Sequence, residues 1–167
     1  QHVDSGNTSF QTICILGCGG FIGSHLVDRL MSDKKYQRII GIDIVPEKIS
    51  RHIGDSGFQF VELNVYDTDA IRPYIKDSDI VISLVALCNP SLYNVIPLDV
   101  IEANFTRPLE LARLCSEEGK WLIQFSTSEV YGKSVEGLTG QQYENEFRYF
   151  SEDSTPLILG PVHAQRW

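Results

Sequence analysis

The sequence has no run of the roughly 18 apolar residues needed for a membrane-crossing helix, and so no such helix is expected to organise it. Positive charge is also short. Lys and Arg number 14 against 22 Asp and Glu, a formal net charge of −8, and no basic cluster stands out. A surface that tracks nucleic-acid phosphates or an anionic membrane is therefore not expected, although the overall sign says nothing against one local nucleotide site. The four cysteines, Cys14, Cys18, Cys88 and Cys115, form no C-x-x-C pair and join no His cluster at metal-ligand spacing. Reduced thiols in a cytoplasmic protein are the expectation. The four histidines, His2, His25, His52 and His163, have no partners at catalytic or metal spacing. The polar stretch 1–11 lacks the basic-then-apolar build of a secretory signal and reads as a disordered leader. No repeat or low-complexity tract is visible.

What is present is an ordinary globular composition over 167 residues, 43% apolar and 22% charged, which fits one domain over 12–167. Short apolar runs alternate with amphipathic stretches. Residues 12–16, 38–42, 58–63, 79–87 and 120–125 read as strands, the fourth being the longest. Between them, 21–31 reads as a helix with Ile22, Leu26 and Leu30 on its apolar face and Val27 beside them. Residues 47–53 form a weak helix, 67–75 a short one capped by Asp67, and 98–118 the longest, which Pro108 should bend or split. Trp121 reads as strand core. Strands apolar throughout, alternating with helices, predict an α/β fold: a doubly wound parallel sheet, the Rossmann architecture, flanked by helices. Beyond Thr127 the pattern gives way to a polar segment, Gly132 to Thr155.

The first strand-to-helix turn reads Leu16-Gly-Cys-Gly-Gly-Phe-Ile-Gly23. Glycines at 17, 20 and 23 suit a tight turn, close approach of backbone to a pyrophosphate, and close packing of helix on strand. Asp43 ends the second strand 20 residues beyond Gly23, where a carboxylate accepts hydrogen bonds from an adenosine ribose and repels a 2′-phosphate. The pattern thus points to NAD rather than NADP, with Gly17, Gly20, Phe21, Ile22, Gly23 and Asp43 as the cofactor-facing set. A purely structural glycine turn and an Asp that caps the following loop are the competing explanations.

The Gly-x-x-Gly-x-x-Gly spacing, together with Phe125-Ser-Thr-Ser-Glu-Val-Tyr-Gly132, resembles the extended short-chain dehydrogenase/reductase family, whose members act on nucleotide sugars. The likeness runs from Thr12 to Trp167. It implies that Asn64-Val65 faces adenine, where Asn replaces the family's usual Asp, that Ala86 lies beside the cofactor, and that Asn104 is the Asn of the long helix. A strand-end turn, a core alanine and a polar helix residue are the alternatives for these positions. Thr127-Ser128-Glu129 is similar to the segment of the UDP-glucuronate decarboxylases, since Ser128 counts against a sugar dehydratase and Glu129 against a 4-epimerase. Asn89-Pro-Ser-Leu-Tyr-Asn94 and the Gly-Pro-x-x-x-x-Arg-Trp tail ending at Trp167 resemble both those decarboxylases and the UDP-apiose/UDP-xylose synthases.

The resemblance implies a UDP-sugar partner, UDP-glucuronate, and a homodimer. Oxidation at the 4-hydroxyl places a ketone β to the carboxylate, which lets carbon dioxide leave and gives a UDP-4-keto-pentose, UDP-xylose or UDP-apiose. Thr127, Ser128 and Glu129 are the implied catalytic residues, Ser128 at the 4-oxygen and Glu129 near C5. Cys88, Pro90, Tyr93 and Arg166 are implied on the substrate side, Arg166 because a guanidinium grips a carboxylate in a fork. Core packing is the alternative for Cys88. The family's Tyr-x-x-x-Lys motif is not among the 167 residues: Tyr131, for example, is followed four positions later by Val135. The expectation is therefore an N-terminal portion of a longer enzyme, inactive alone. A UDP-sugar 4-epimerase of the same family and a non-catalytic NAD-binding regulatory domain are the alternative readings.

Overall fold

Isoleucine and valine crowd the short strands because branched side chains pack well on a pleated surface. The computed structural model describes residues 11–127. Its first compact unit comprises 11–85 and 109–125 of these, and the second comprises 86–108 with 126–127. In the first, β1 (Thr12–Leu16), β2 (Arg38–Asp43), β3 (Phe58–Glu62), β4 (Ile80–Ser83) and β5 (Trp121–Gln124) form one sheet, every pairing parallel. The order β3-β2-β1-β4-β5 reverses direction beside β1, the place where doubly wound sheets open a crevice beyond their strand ends.

Alternation along each strand divides the core between the two faces. Cys14, Leu16, Ile40, Ile42 and Val81 pack with Ile71 and Ile75 of α2 (Thr68–Lys76) and with Leu111, Leu114 and Cys115 of α4 (Arg107–Glu117). Ile13, Ile15, Ile39, Phe58, Ile80 and Ile82 pack on the other face with Val27 of α1 (Phe21–Asp33) and with Ile49. Ile49 sits in a 3-10 turn over Glu47–His52, where the weak helix was expected. Burial on both faces is the arrangement that the uniformly apolar runs implied. All four cysteines are free. Burial pushes the Cys14 thiol up to about 12 and that of Cys115 to about 11, and Cys88 is exposed rather than core.

The expected helix over 98–118 is divided. A short α3 (Pro97–Ile101) passes into a widened turn at Glu102–Thr106, where the Arg107 amide bonds back five residues to the Glu102 carbonyl, and then into α4. Pro108 has no amide to continue a regular ladder, and the turn before it takes up the mismatch. Asp67 caps α2 as expected, accepting from the Ala70 amide at 3.0 Å.

Three expectations need correction. Only Ile80–Ser83 of the run 79–87 joins the ladder, because the pairing with β1 ends at Leu16 and that with β5 at Gln124; the apolar residues beyond are connection. Trp121 is 55% exposed, since β5 is the last described strand in the order and has a neighbour on one side. Ile22 is also exposed: α1 buries Gly23, Ser24 and Val27, and a residue one step before Gly23 is turned about 100° away from that face. Among the described residues no helix is long and apolar enough to cross a membrane.

Asp79 ties three strands at their N-terminal ends. Its Oδ2 accepts from the Gln11 and Thr12 amides at 2.7 and 2.9 Å, its own amide donates to the Thr12 carbonyl, and its carbonyl accepts from Trp121. The Thr12 and Gln11 amides hold its carboxyl below the usual carboxylate range. A folded value below the unfolded one means stability that is present above the unfolded range and lost as pH falls through the folded value. Asp79→Ala should thus cost roughly 1 kcal/mol at pH 7, a modest figure because the group is half-exposed, and the deficit should shrink below about pH 4 in denaturant titrations.

Candidate functional site

The turn after β1 is held from beneath. The Gly17 amide donates to the Ile42 carbonyl at 2.9 Å, and the Gly20 amide to the Gly17 carbonyl at 3.2 Å, which folds the loop back on itself. Gly17 adopts φ +85°, a left-handed value that a side chain disfavours. A Cβ at Gly23 would strike the Gly17 carbonyl oxygen and lie 2.8 Å from the Cys18 Cα, so glycine lets α1 seat on the loop. Gly20 is different. A Cβ there would meet only the Gly17 oxygen, at 3.4 Å, an ordinary contact, and the residue is exposed. Nothing in the fold demands glycine at 20. A side chain there would take up the open space above the helix start.

That start suits an anion. Gly20 is the N-cap of α1 and supplies no side-chain cap, and no acidic residue stands in the first turn to compete for the positive end of the helix. Phe21 and Ile22 are 71% and 54% exposed beside it, and the Phe21 ring meets His25 edge-on.

Asp43 closes the loop from the side. One carboxylate oxygen, Oδ2, accepts from the Gly19 amide at 2.8 Å; the other, Oδ1, accepts from Ile44 at 2.7 Å and Val45 at 3.2 Å. Asp43 thus caps the loop that follows it, as the competing explanation held, and both of its carboxylate oxygens are fixed by backbone amides. Gly19, which the spacing argument passed over, belongs to this knot: a Cβ there would collide with the Val45 carbonyl oxygen and lie 3.1 Å from the Asp43 Cγ. Two adjacent glycines, 19 and 20, were the available signal. Cys18 packs beneath, with burial and then the Asp43 charge pushing its thiol up to about 12.

β3 ends two residues before Asn64, alongside the end of β2, with the Leu63 amide on the Asp43 carbonyl at 3.2 Å. Asn64 is exposed and its Oδ1 accepts from the Tyr66 amide at 3.0 Å, forming the turn into α2; Val65 packs against the core beside it. Gly17, Gly20, Gly23, Phe21, Ile22, Asp43, Asn64 and Val65 therefore all lie at the C-terminal ends of β1, β2 and β3 or at the start of α1.

The second unit holds the remaining described candidates. Asn104, in the widened turn, accepts from the Leu87 amide at 2.8 Å and donates to the Leu87 carbonyl at 3.1 Å, so both ends of its amide grip the chain beside Ala86. Cys88 and Pro90 are exposed and Tyr93 is buried. Asn89 accepts from the Ser91 amide and hydroxyl. Thr127 is exposed; Ser128, Glu129 and Arg166 lie outside the described residues, as do the segment Gly132 to Thr155 and residues 1–10. Among the described residues no group of His, Cys, Asp and Glu is placed to hold a metal ion.

A family model described as the NAD dependent epimerase/dehydratase family matches residues 13–152, and the chain belongs to that family. The UDP-D-apiose/UDP-D-xylose synthase of Oryza sativa subsp. japonica is 40% identical, the match covering 93% of this chain and 42% of that protein. Among solved structures, the PbgP3 protein from Burkholderia pseudomallei superposes with a TM-score of 0.79 at 29% identity, over 94% of this chain and 48% of its own. The UDP-N-acetylglucosamine 4-epimerase from Methanobrevibacter ruminantium M1, solved with UDP-N-acetylmuramic acid, has a TM-score of 0.72 at 25% identity over 93% of this chain and 47% of its own. The chain spans less than half the length of each of these proteins.

NAD is the cofactor of the family. The residues present fit it: the open space above Gly20, the uncapped start of α1 and the prealigned carboxylate of Asp43 match a pyrophosphate and an adenosine ribose. Two variants separate folding from binding. Gly20→Val should keep the melting temperature within about 2 °C yet weaken NAD binding at least ~tenfold by calorimetry. Gly23→Val should instead destabilise the protein by roughly 2–3 kcal/mol through overpacking. Asp43→Ala should weaken NAD about tenfold, narrow the preference over NADP, and cost about 1 kcal/mol because partly solvated amides lose their acceptor.

Proposed function

We propose that the protein containing this chain is an NAD-dependent nucleotide-sugar enzyme that oxidises UDP-glucuronate at C4 and decarboxylates it, giving a UDP-4-keto-pentose, UDP-xylose or UDP-apiose. The observation that carries this reading is the prealigned pair of Asp43 and the open Gly20 in a chain 40% identical to a UDP-D-apiose/UDP-D-xylose synthase. The chain covers 42% of that relative and contains no Tyr-x-x-x-Lys, so the activity is proposed of the intact protein, with the base and the rest of the sugar pocket outside these residues.

When bound, NAD would take a hydride from the sugar alcohol, leaving a UDP-4-keto-pentose once carbon dioxide departs, and would return it to the keto sugar where UDP-xylose or UDP-apiose is the product. The chain's own residues do the rest of their share by position. Gly20 leaves room for the diphosphate on a turn that Gly17 and Gly23 allow to form, and Asp43 holds the adenosine ribose and so fixes where the other end of the dinucleotide reaches. Asn64 and Val65 face the adenine, and Ala86 and Asn104 shape the wall beside the nicotinamide. Thr127 and Ser128 donate hydrogen bonds to the 4-oxygen of the sugar, and Glu129 manages a proton near C5 as the carboxylate departs. Cys88, Pro90, Tyr93 and Arg166 stand on the substrate side, Arg166 gripping the carboxylate that is lost.

A second reading, a UDP-sugar 4-epimerase, draws on the likeness to the UDP-N-acetylglucosamine 4-epimerase. Incubating the intact protein with UDP-glucuronate and NAD and following products by NMR tests the two. Carbon dioxide with a UDP-pentose is the expected outcome; UDP-galacturonate without gas would replace it with the epimerase. Ser128→Ala and Glu129→Gln should each lower kcat by roughly 10²-fold or more with little change in NAD affinity.

A further inference from the structure

The segment between β2 and β3 begins at the ribose carboxylate and belongs to no ladder. Ile44 and Val45 follow Asp43 with 63% and 43% of their surface exposed, and the 3-10 turn Glu47–His52 comes next. This strap is fastened to the loop-and-helix unit twice. Near its start, Asp43 reaches the Gly19 amide. Near its far end, Asp28 in the middle of α1 receives Arg51 in a fork, Nε on Oδ1 at 2.9 Å and Nη2 on Oδ2. His52 adds Nε2 at 2.7 Å from Asp28 Oδ1 and Nδ1 at 3.2 Å from Asp55 Oδ2. The imidazole is 15% exposed and meets the Phe58 ring edge-on, with Ile49 fully buried beside it in sequence. The Arg51 guanidinium beside Asp28 holds its carboxyl below the usual carboxylate range, so the carboxylate is charged at neutral pH.

Surface ion pairs of this kind add little to global stability, whereas a forked Arg–carboxylate contact fixes direction well. Its effect is therefore to be sought in geometry. The helix whose N-terminus faces the diphosphate is the same helix that Asp28 uses to hold the strap, so the two walls of the adenosine end are locked in one frame. We propose that Asp28, acting through Arg51 and His52, is a positioning residue that holds the strap bearing Ile44 and Val45 in place for the adenosine half of the dinucleotide. Without the clamp, the stretches on either side of the buried Ile49 gain freedom that each binding event must remove, and that entropy is subtracted from affinity.

The inference rests on the cofactor assignment, and its test is built to separate the two. Asp28→Ala, which suits a helix interior, and His52→Gln, as an independent break in the same clamp, are made in the intact protein. Calorimetry is run with NAD, with ADP, which carries the adenosine half, and with nicotinamide mononucleotide, which lacks it. Both variants should raise the Kd for NAD and ADP by about five- to tenfold and leave that for the mononucleotide within about twofold. Hydrogen exchange should quicken at 44–53 and not in β1 or β4. Unchanged NAD and ADP affinities in both variants would overturn the proposal, as would an equal loss for all three ligands, which marks general loosening. Wild-type protein that binds no NAD would overturn the cofactor assignment first and this inference with it.

Discussion

Three backbone amides converge on the carboxylate of Asp43: Gly19 from the glycine loop, and Ile44 and Val45 from the chain that leaves β2. Much of the site's geometry follows from that convergence. A loop rich in glycine has a large conformational freedom to lose, and an anionic acceptor offering bonds at 2.7 to 3.2 Å supplies the compensation locally, before any ligand arrives. The same contact brings the ends of β1 and β2 into register beyond the ladder, where the Gly17 amide on the Ile42 carbonyl is the last such link. A carboxylate held this way has little freedom left to lose.

The four glycines of the turn divide their work. Gly17 supplies a backbone angle, Gly23 permits contact between helix and loop, Gly19 makes space for the Asp43 knot, and Gly20 leaves open space above the start of α1. One glycine that the fold itself does not require thus stands among three that it does. In the second unit the Asn104 side chain also bonds to the fold itself. Placed by a widened turn ahead of Pro108, it closes both of its polar ends on the amide and the carbonyl of Leu87 and so fixes the backbone there.

Much of the fold was legible in the sequence because branched, uniformly apolar runs mark strands covered on both faces, and the order of strands and helices then admits few topologies. The cap at Asp67 and the break before Pro108 were legible for local chemical reasons. Where β4 stops was not, since the run continues past Ser83 as connection with the same apolar character. Ile22 matched the helical spacing, yet spacing alone cannot tell that the first turn of α1 seats on the loop through Gly23. The glycine turn and the place of Asp43 at the end of β2 could be read from spacing, but the bond that ties Asp43 back to the turn depends on where the Gly19 amide points, and the partnership of Asp28 with Arg51 and His52 joins residues 23 and 24 positions apart with no motif to announce it.

The distribution of thiols has a practical bearing. Cys14, Cys18 and Cys115 are buried with their sulfurs held protonated far above neutrality, whereas Cys88 stands exposed just past the end of β4 in the second unit. Electrophiles attack thiolates that they can reach, so among these four cysteines a maleimide dye has one favoured address. This stretch of chain thus carries its own attachment point for a fluorescent reporter shortly after β4, and none of its other three cysteines has to be removed to use it.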